Sequence, residues 1–286
     1  MRKFKYIIQF ILIVLLFFIY RLIGLKLATF LSSLMFMYLG PLFKSKMVIN
    51  NNLSIAFPNI SNSKKTEIIK KMWSNYGKIF AEYIYIGKFR YGSFSKKIKV
   101  ENQDILNKIK KDASPVIFVS GHFDNFELMA MHIEKSGINL SVIYRPLNNK
   151  FLNPLMEKIR KRFICKNQIE KGSSGTRKLL KQFKQGNSIA LMIDQRVSEG
   201  ISASFFSKKA LTTTIPAQFV KKFKAKVVPI HIERVNGNNF NLKIHHPINF
   251  SEKETIESIT LKLNQILEKM IIKNPDQWIW THNRWK

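Results

Sequence analysis

The most apolar stretch of the chain lies at its start. After Met1-Arg-Lys-Phe-Lys5, the run YIIQFILIVLLFFIY from Tyr6 to Tyr20 carries almost no polar interruption, and a second run, Leu27 to Phe43, ends in Lys44 and Lys46. A helix of the first run is roughly 22 Å long at ~1.5 Å per residue, short of a ~30 Å hydrocarbon core. It crosses a bilayer only by continuing through Arg21 to Leu25, with Arg21 snorkelling to the interface. Two arrangements fit: one span followed by an interfacial helix, or a shallow hairpin with both basic ends in the cytoplasm. A cleaved signal peptide fits less well, because no clear small-x-small site follows and a second apolar segment stands in its place.

The periodicity then changes. Ser61 or Ser63 can cap a helix whose apolar positions Ile68, Ile69, Met72, Ile79 and Phe80 recur at helical spacing. Farther on, apolar strand-like runs alternate with amphipathic helical ones. PVIFVS precedes a helix from Phe126 to Ser136, NLSVIY precedes one from Phe151 to Arg162, and a Gly172-Ser-Ser-Gly175 break precedes one from Thr176 to Phe183. SIALMI follows, then a strand from Lys226 to Glu233, another from Phe240 to Ile248, and a closing helix from Glu252 to Ile272. This alternation predicts an α/β fold, a layered and largely parallel sheet with flanking helices. The expected organisation is a membrane anchor over 1–46 and a single domain over 47–286.

Charge narrows the choice of partner. The chain has 286 residues, enough for a substantial core, and 48 Lys+Arg against 18 Asp+Glu give a formal net charge of +30. Such an excess predicts an anionic partner: nucleic acid, an acidic lipid surface or an acidic protein. The single cysteine, Cys165, excludes an intramolecular disulfide framework and a cysteine-based zinc cluster.

Candidate chemistry sits where PVIFVS ends. The stretch SGHFDNFE, Ser120 to Glu127, puts His122 at the carboxyl end of a predicted strand, where open α/β sheets form their ligand crevices. Asp124 or Asn125 can cap the following helix, which places Glu127 in its first turns. A histidine in the preceding loop is free to fold back over that turn. There Glu127 would accept an imidazole N–H, fix the tautomer and stabilise the imidazolium formed when the other nitrogen takes a proton. The plainer reading is a capping turn with a surface histidine. The remaining histidines read as structural: His245 and His246 point to opposite faces of a strand, which is poor geometry for one metal.

GHFDNFE resembles the Gly-His-x-Gly-Asn-Trp-Glu motif of lipid A biosynthesis acyltransferases, the late acyltransferases of Gram-negative bacteria, which lie within the wider group that uses a His-x4-Asp/Glu pair. Other blocks resemble that family in order: NNLSIAFP from Asn51, MWSNYG with Glu82, YRPLNN from Tyr144, MIDQR from Met192, SFFSKKALTTTIPA from Ser204, and the ending PDQWIWTHNRWK. The likeness runs from about residue 50 to the last. Asp124 and Phe126 stand where the family usually has Gly and Trp.

The resemblance implies a glycerolipid-acyltransferase-like fold and a reaction in which a fatty acyl group passes from an acyl-carrier-protein thioester to a hydroxyl on an acyl chain of a lipid A precursor. His122 would be the general base and Glu127 its orienting carboxylate, with no metal and no cofactor beyond the thioester co-substrate. Arg145 would meet a phosphate or the developing oxyanion, and Asn125, Asp194 and Gln195 are expected around the substrate, with Asp194 and Gln195 closing the pocket or anchoring a loop. Expected partners are acyl carrier protein, the lipid A precursor and an anionic membrane surface, at the cytoplasmic face of the inner membrane. Transfer to another acceptor, a mannolipid or a lysophospholipid, is the nearest alternative. A membrane-tethered nucleic-acid binder would explain the charge but not a dyad at a strand end, so no nucleic acid is expected.

Overall fold

The computed structural model describes residues 2–286. Helix α1 (Arg2–Phe43) joins both amino-terminal apolar runs and breaks at Gly24, whose φ of 82° and ψ of 163° fall in a region open essentially to glycine alone. The first half, up to that break, is roughly 33 Å long, enough to cross a hydrocarbon core. Its large side chains Ile8, Ile11, Leu12, Leu15 and Phe18 are exposed, and the helix is long and apolar enough to span a membrane. The second half is different: Leu25, Ala28, Thr29, Ser32 and Ser33 are buried against α3 (Asn62–Glu82). The approach is close enough that a Cβ on Gly77 would lie 2.2 Å from the Ser32 carbonyl oxygen, while the Ser32 hydroxyl donates to the Gly77 carbonyl at 2.6 Å. Residues before 46 are therefore built into the packed body. Ser61, not Ser63, caps α3 by accepting from the Lys64 N–H.

Between the two, α2 (Lys46–Ala56) carries Asn52, whose amide donates to the carbonyls of Trp280 and His282 and ties the carboxyl-terminal segment down. After α4 (Ile86–Tyr91) the chain builds its sheet from β1 (Ile98–Glu101), β2 (Ile117–Ser120), β3 (Leu140–Tyr144), β4 (Asn167–Glu170), β5 (Ser188–Met192), β8 (Val227–Asn236) and β9 (Asn239–Ile244). Helices α5 (Gln103–Asp112), α6 (Glu127–Lys135), α7 (Leu152–Phe163) and α8 (Ser173–Lys184) fill the crossovers. Helix α8 begins at Ser173, so the expected four-residue break shrinks to Gly172. Strands β6 (Ile201–Phe205) and β7 (Lys208–Thr212) form a separate antiparallel hairpin, and α9 (Ile215–Phe223) and α10 (Ile256–Lys273) complete the chain.

Among the described residues the main sheet has the order β1-β9-β8-β2-β5-β3-β4, with every neighbour parallel except β8 against β9. The fold is the expected α/β layered sheet. Its centre is β2, whose four residues Ile117, Phe118, Val119 and Ser120 are all buried. A strand covered on both faces needs a continuous apolar run, which PVIFV supplies. Each large apolar side chain so buried contributes ~1.5–3 kcal/mol, so β2 is a rigid base for whatever leaves its carboxyl end.

Candidate functional site

Strand β2 pairs in parallel with β5, Ser120 opposite Met192. Two residues beyond that pair on each strand stand His122 and Asp194, so the register alone brings them face to face at the carboxyl edge of the sheet. His122 Nδ1 lies 2.8 Å from Asp194 Oδ1, and the His122 backbone N–H donates to Asp194 Oδ2 at 2.8 Å. A third bond comes from the indole N–H of Trp278, also 2.8 Å from Oδ2. The Asp194 side chain is fully buried, whereas His122 keeps 21% of its side-chain surface.

Electrostatics agrees with this geometry from both sides. Burial pushes the Asp194 carboxyl up, but the charge and hydrogen bonds of His122 outweigh it and hold Asp194 below the usual carboxylate range. Burial likewise disfavours the His122 imidazolium, yet Asp194, with a smaller contribution from Glu127, holds His122 above its ordinary value. An ionised Asp194 requires the proton on Nδ1, which leaves Nε2 as the basic nitrogen. Phe126 and the imidazole meet edge to face, ring centroids 4.8 Å apart.

The hydrogen bond that the sequence spacing assigns to Glu127 is thus made by Asp194. Glu127 is the first residue of α6 and turns to α7 instead: Arg160 Nε donates to its Oε1 at 2.9 Å, and Nη2 lies 2.7 Å from the same oxygen as an ion pair. The physical reason is charge satisfaction, since a nearly buried carboxylate with a guanidinium in reach is better stabilised than one sharing a neutral imidazole. His122, Glu127 and Arg160 all line one cavity of about 310 Å³. Its other walls are largely apolar, with Phe17 and Phe36 from α1, Ile79 and Phe80 from α3, and Met156 from α7. His122 therefore borders a largely apolar space that reaches α1.

The turn that carries His122 is clamped from behind. Asp124 holds a φ of 36°, a left-handed conformation that costs a non-glycine residue energy. Arg234 on β8 offsets this by donating to Asp124 from Nε at 3.1 Å and Nη2 at 2.7 Å, and to Glu82 from Nη1 at 2.5 Å and Nη2 at 3.0 Å. Nη1 also reaches the Gly237 carbonyl, so every guanidinium donor is used. Asn125, placed around the substrate by the resemblance, is buried and its amide donates to Glu82 at 2.9 Å, so it belongs to this clamp. Neither Asp124 nor Asn125 caps α6, whose N-cap residue is Phe126 without a side-chain bond.

Arg145 is exposed just past β3 and is not among the residues lining the cavity beside His122. Gln195 is half-buried next to Asp194. His231 is buried and His132 half-buried, and burial lowers each to about 4. Trp278 and Trp280 are buried and meet edge to face at 4.7 Å, as packing of the domain end requires, but the Trp278 N–H on Asp194 is a contact at the candidate site that sequence reasoning missed. Arg160 and Arg234 were missed too, and Glu82 was named only with its block. The only signals were the MWSNYG block with its Glu82 and the general rule that a buried charge needs a partner.

A model of the bacterial lipid A biosynthesis acyltransferase family matches residues 1–286. A lipid A biosynthesis acyltransferase of Haemophilus influenzae is 24% identical over 246 residues, 84% of this chain and 76% of that protein. A lipid A biosynthesis lauroyltransferase of Escherichia coli is 22% identical over 245 residues, 84% of this chain and 78% of its own. The crystal structure of the 1-acyl-sn-glycerophosphate (LPA) acyltransferase PlsC from Thermotoga maritima aligns with a TM-score of 0.43 and 15% identity, over 87% of this chain and 98% of that one.

Proposed function

Because the chain belongs to the bacterial lipid A biosynthesis acyltransferase family, we propose that it moves a fatty acyl group from an acyl-carrier-protein thioester to a hydroxyl on an acyl chain of a lipid A precursor, with His122 as general base and Asp194 as the carboxylate that orients it. The single observation carrying this reading is the His122 Nδ1 contact with buried Asp194, which leaves Nε2 directed to chemistry beside an apolar cavity. Acyl transfer needs a base for the attacking hydroxyl and somewhere for a long chain to lie, and both meet here.

In the reaction Nε2 takes the hydroxyl proton as the oxygen attacks the thioester carbonyl. Asp194 stabilises the resulting imidazolium and prevents the ring from flipping, as a carboxylate does in other histidine-based sites. The tetrahedral oxyanion collapses by breaking the C–S bond, and the imidazolium returns the proton to the departing thiolate. Glu127 adds a second negative charge beside the imidazolium, and the N–H groups of Arg160 not bound to Glu127 are the cation in the cavity suited to the oxyanion. Large positive charge suits an acidic carrier and a phosphorylated lipid at an anionic membrane surface, which favours the cytoplasmic face of the inner membrane as the place of action.

The test is acyl transfer by detergent-purified protein from carrier thioesters of several chain lengths onto an under-acylated lipid A precursor and, in parallel, onto lysophosphatidic acid. Transfer to the lipid A precursor alone, lost in His122→Ala, is expected. Product on lysophosphatidic acid alone, or product that persists in His122→Ala, would overturn the acceptor or the base.

A further inference from the structure

A second apolar cavity of about 280 Å³ lies on the far side of two residues, Phe17 and Tyr83, that line it and the His122 cavity alike. Helical periodicity builds it. From α1, Val14, Phe17, Phe18 and Arg21 stand at i, i+3, i+4 and i+7 and form one stripe. From α7, Leu155, Ile159 and Phe163 form a stripe at four-residue spacing, while the neighbouring stripe, Met156 and Arg160, faces the His122 cavity. Helix α7 therefore contributes one face to each cavity, and Phe17 with Tyr83 is the partition between them.

The chemistry of the walls states what fits. They are aliphatic and aromatic apart from Tyr83 and one cation, Arg21, which is exposed, makes no ion pair among the described residues and stands three residues before the helix break at Gly24. A cation at the end of a bilayer-length apolar helix sits at headgroup depth. Hydrocarbon walls with an unpaired guanidinium beside them suit an acyl chain that ends in a phosphorylated head.

We propose that this second cavity holds an acyl chain of the phosphorylated acceptor lipid, with Arg21 at its phosphate, so that acceptor and donor chains lie on opposite sides of the Phe17 and Tyr83 partition. The inference rests on the reading of the His122 cavity as the donor-chain site. The shared partition argues for the acceptor over bulk membrane lipid. A lipid held there has its chain next to the catalytic cavity, with Phe17 and Tyr83 between the two.

Steady-state kinetics in mixed micelles with separate variation of donor and acceptor test it. Ile159→Trp, which fills the second cavity, and Arg21→Gln are expected to raise the acceptor KM by about tenfold or more while the donor KM stays within about twofold. The Arg21→Gln effect should vanish on a dephosphorylated acceptor. Ile79→Trp, in the first cavity, should do the reverse and raise the donor KM. A donor effect from Ile159→Trp, or an Arg21→Gln effect indifferent to the phosphate, would overturn the assignment. If Ile159→Trp folds poorly, Leu155→Phe reads the same cavity. A photoreactive phosphorylated lipid A precursor bound to His122→Ala gives a readout that needs no turnover. Cross-links on Leu155 and Val14 peptides, competed by the precursor but not by phosphatidylglycerol, support the site even if the enzyme acylates a different acceptor. Equal competition by phosphatidylglycerol would show a bulk-lipid groove and sink the proposal.

Discussion

Asp194 holds His122 at two points, through Nδ1 and through the backbone N–H, each at 2.8 Å. One carboxylate thereby fixes both the ring and the chain that bears it. Asp194→Asn removes the charge and, if its amide group turns toward Nδ1, forces the opposite tautomer. A fall in kcat of roughly 10²–10⁴ is expected with little change in KM.

The same contact sets the pH dependence. Asp194 holds His122 above its ordinary pKa, and a general base must be unprotonated. Activity of the native enzyme should therefore rise with pH through a value above the usual ~6.5 of histidine. In Asp194→Asn the residual activity should rise at lower pH, because the interaction favouring imidazolium is gone. A kcat/KM profile that keeps its acid limb in this variant would separate Asp194 from the base.

Glu127 is bonded to Arg160 and only lies near His122, so Glu127→Gln is expected to lower kcat less than Asp194→Asn does, and to move the acid limb down only slightly. Paired kinetics of the two variants decide which carboxylate orients the ring. A deeper loss in Glu127→Gln with a normal Asp194→Asn would reverse the assignment.

Arg234 answers two buried carboxylates with four hydrogen bonds and gives its remaining donor to the Gly237 carbonyl. Arg234→Ala leaves Glu82 and Asp124 facing each other unpaired and should destabilise the protein by about 3–5 kcal/mol, the usual cost of breaking a buried pair. Asp124→Gly should cost less, on the order of 1–3 kcal/mol, because Arg234 keeps Glu82 and glycine accepts the left-handed turn without strain. Denaturant titration in detergent measures both, and equal losses would remove the clamp as a distinct element.

His231 is buried and held down to about 4. The unfolded chain takes up its proton near pH 6.5 and the folded one only near 4, so stability is retained above 6.5 and falls as pH drops through that window. The loss is on the order of 3 kcal/mol at about 1.4 kcal/mol per unit. His231→Phe, which keeps the edge-to-face contact with Phe123, should flatten the acid side of a melting-temperature profile.

Much of this molecule was legible along the chain. An apolar run covered on both faces gives a strand, the 3.6-residue period gives a helix, and their alternation gave the α/β sheet because each signal is local. The site was half legible for the same reason: His122 and Asp194 each lie two residues past a recognisable strand, at the end where such sheets bind ligands. Short polar strands such as β4 and the β6 and β7 hairpin escaped, since their partners and not their composition make them strands. The choice between Glu127 and Asp194 as the carboxylate of His122 escaped as well. Sequence places Glu127 five residues away and Asp194 seventy-two away, but distance along the chain is irrelevant once β2 and β5 are neighbours in register. That neighbouring, the pairing of Glu127 with Arg160 and of Asp124 with Arg234, and the partition of two cavities by Phe17 and Tyr83 are decided by tertiary structure, because each buried charge and apolar face is satisfied by whatever the packed chain brings beside it.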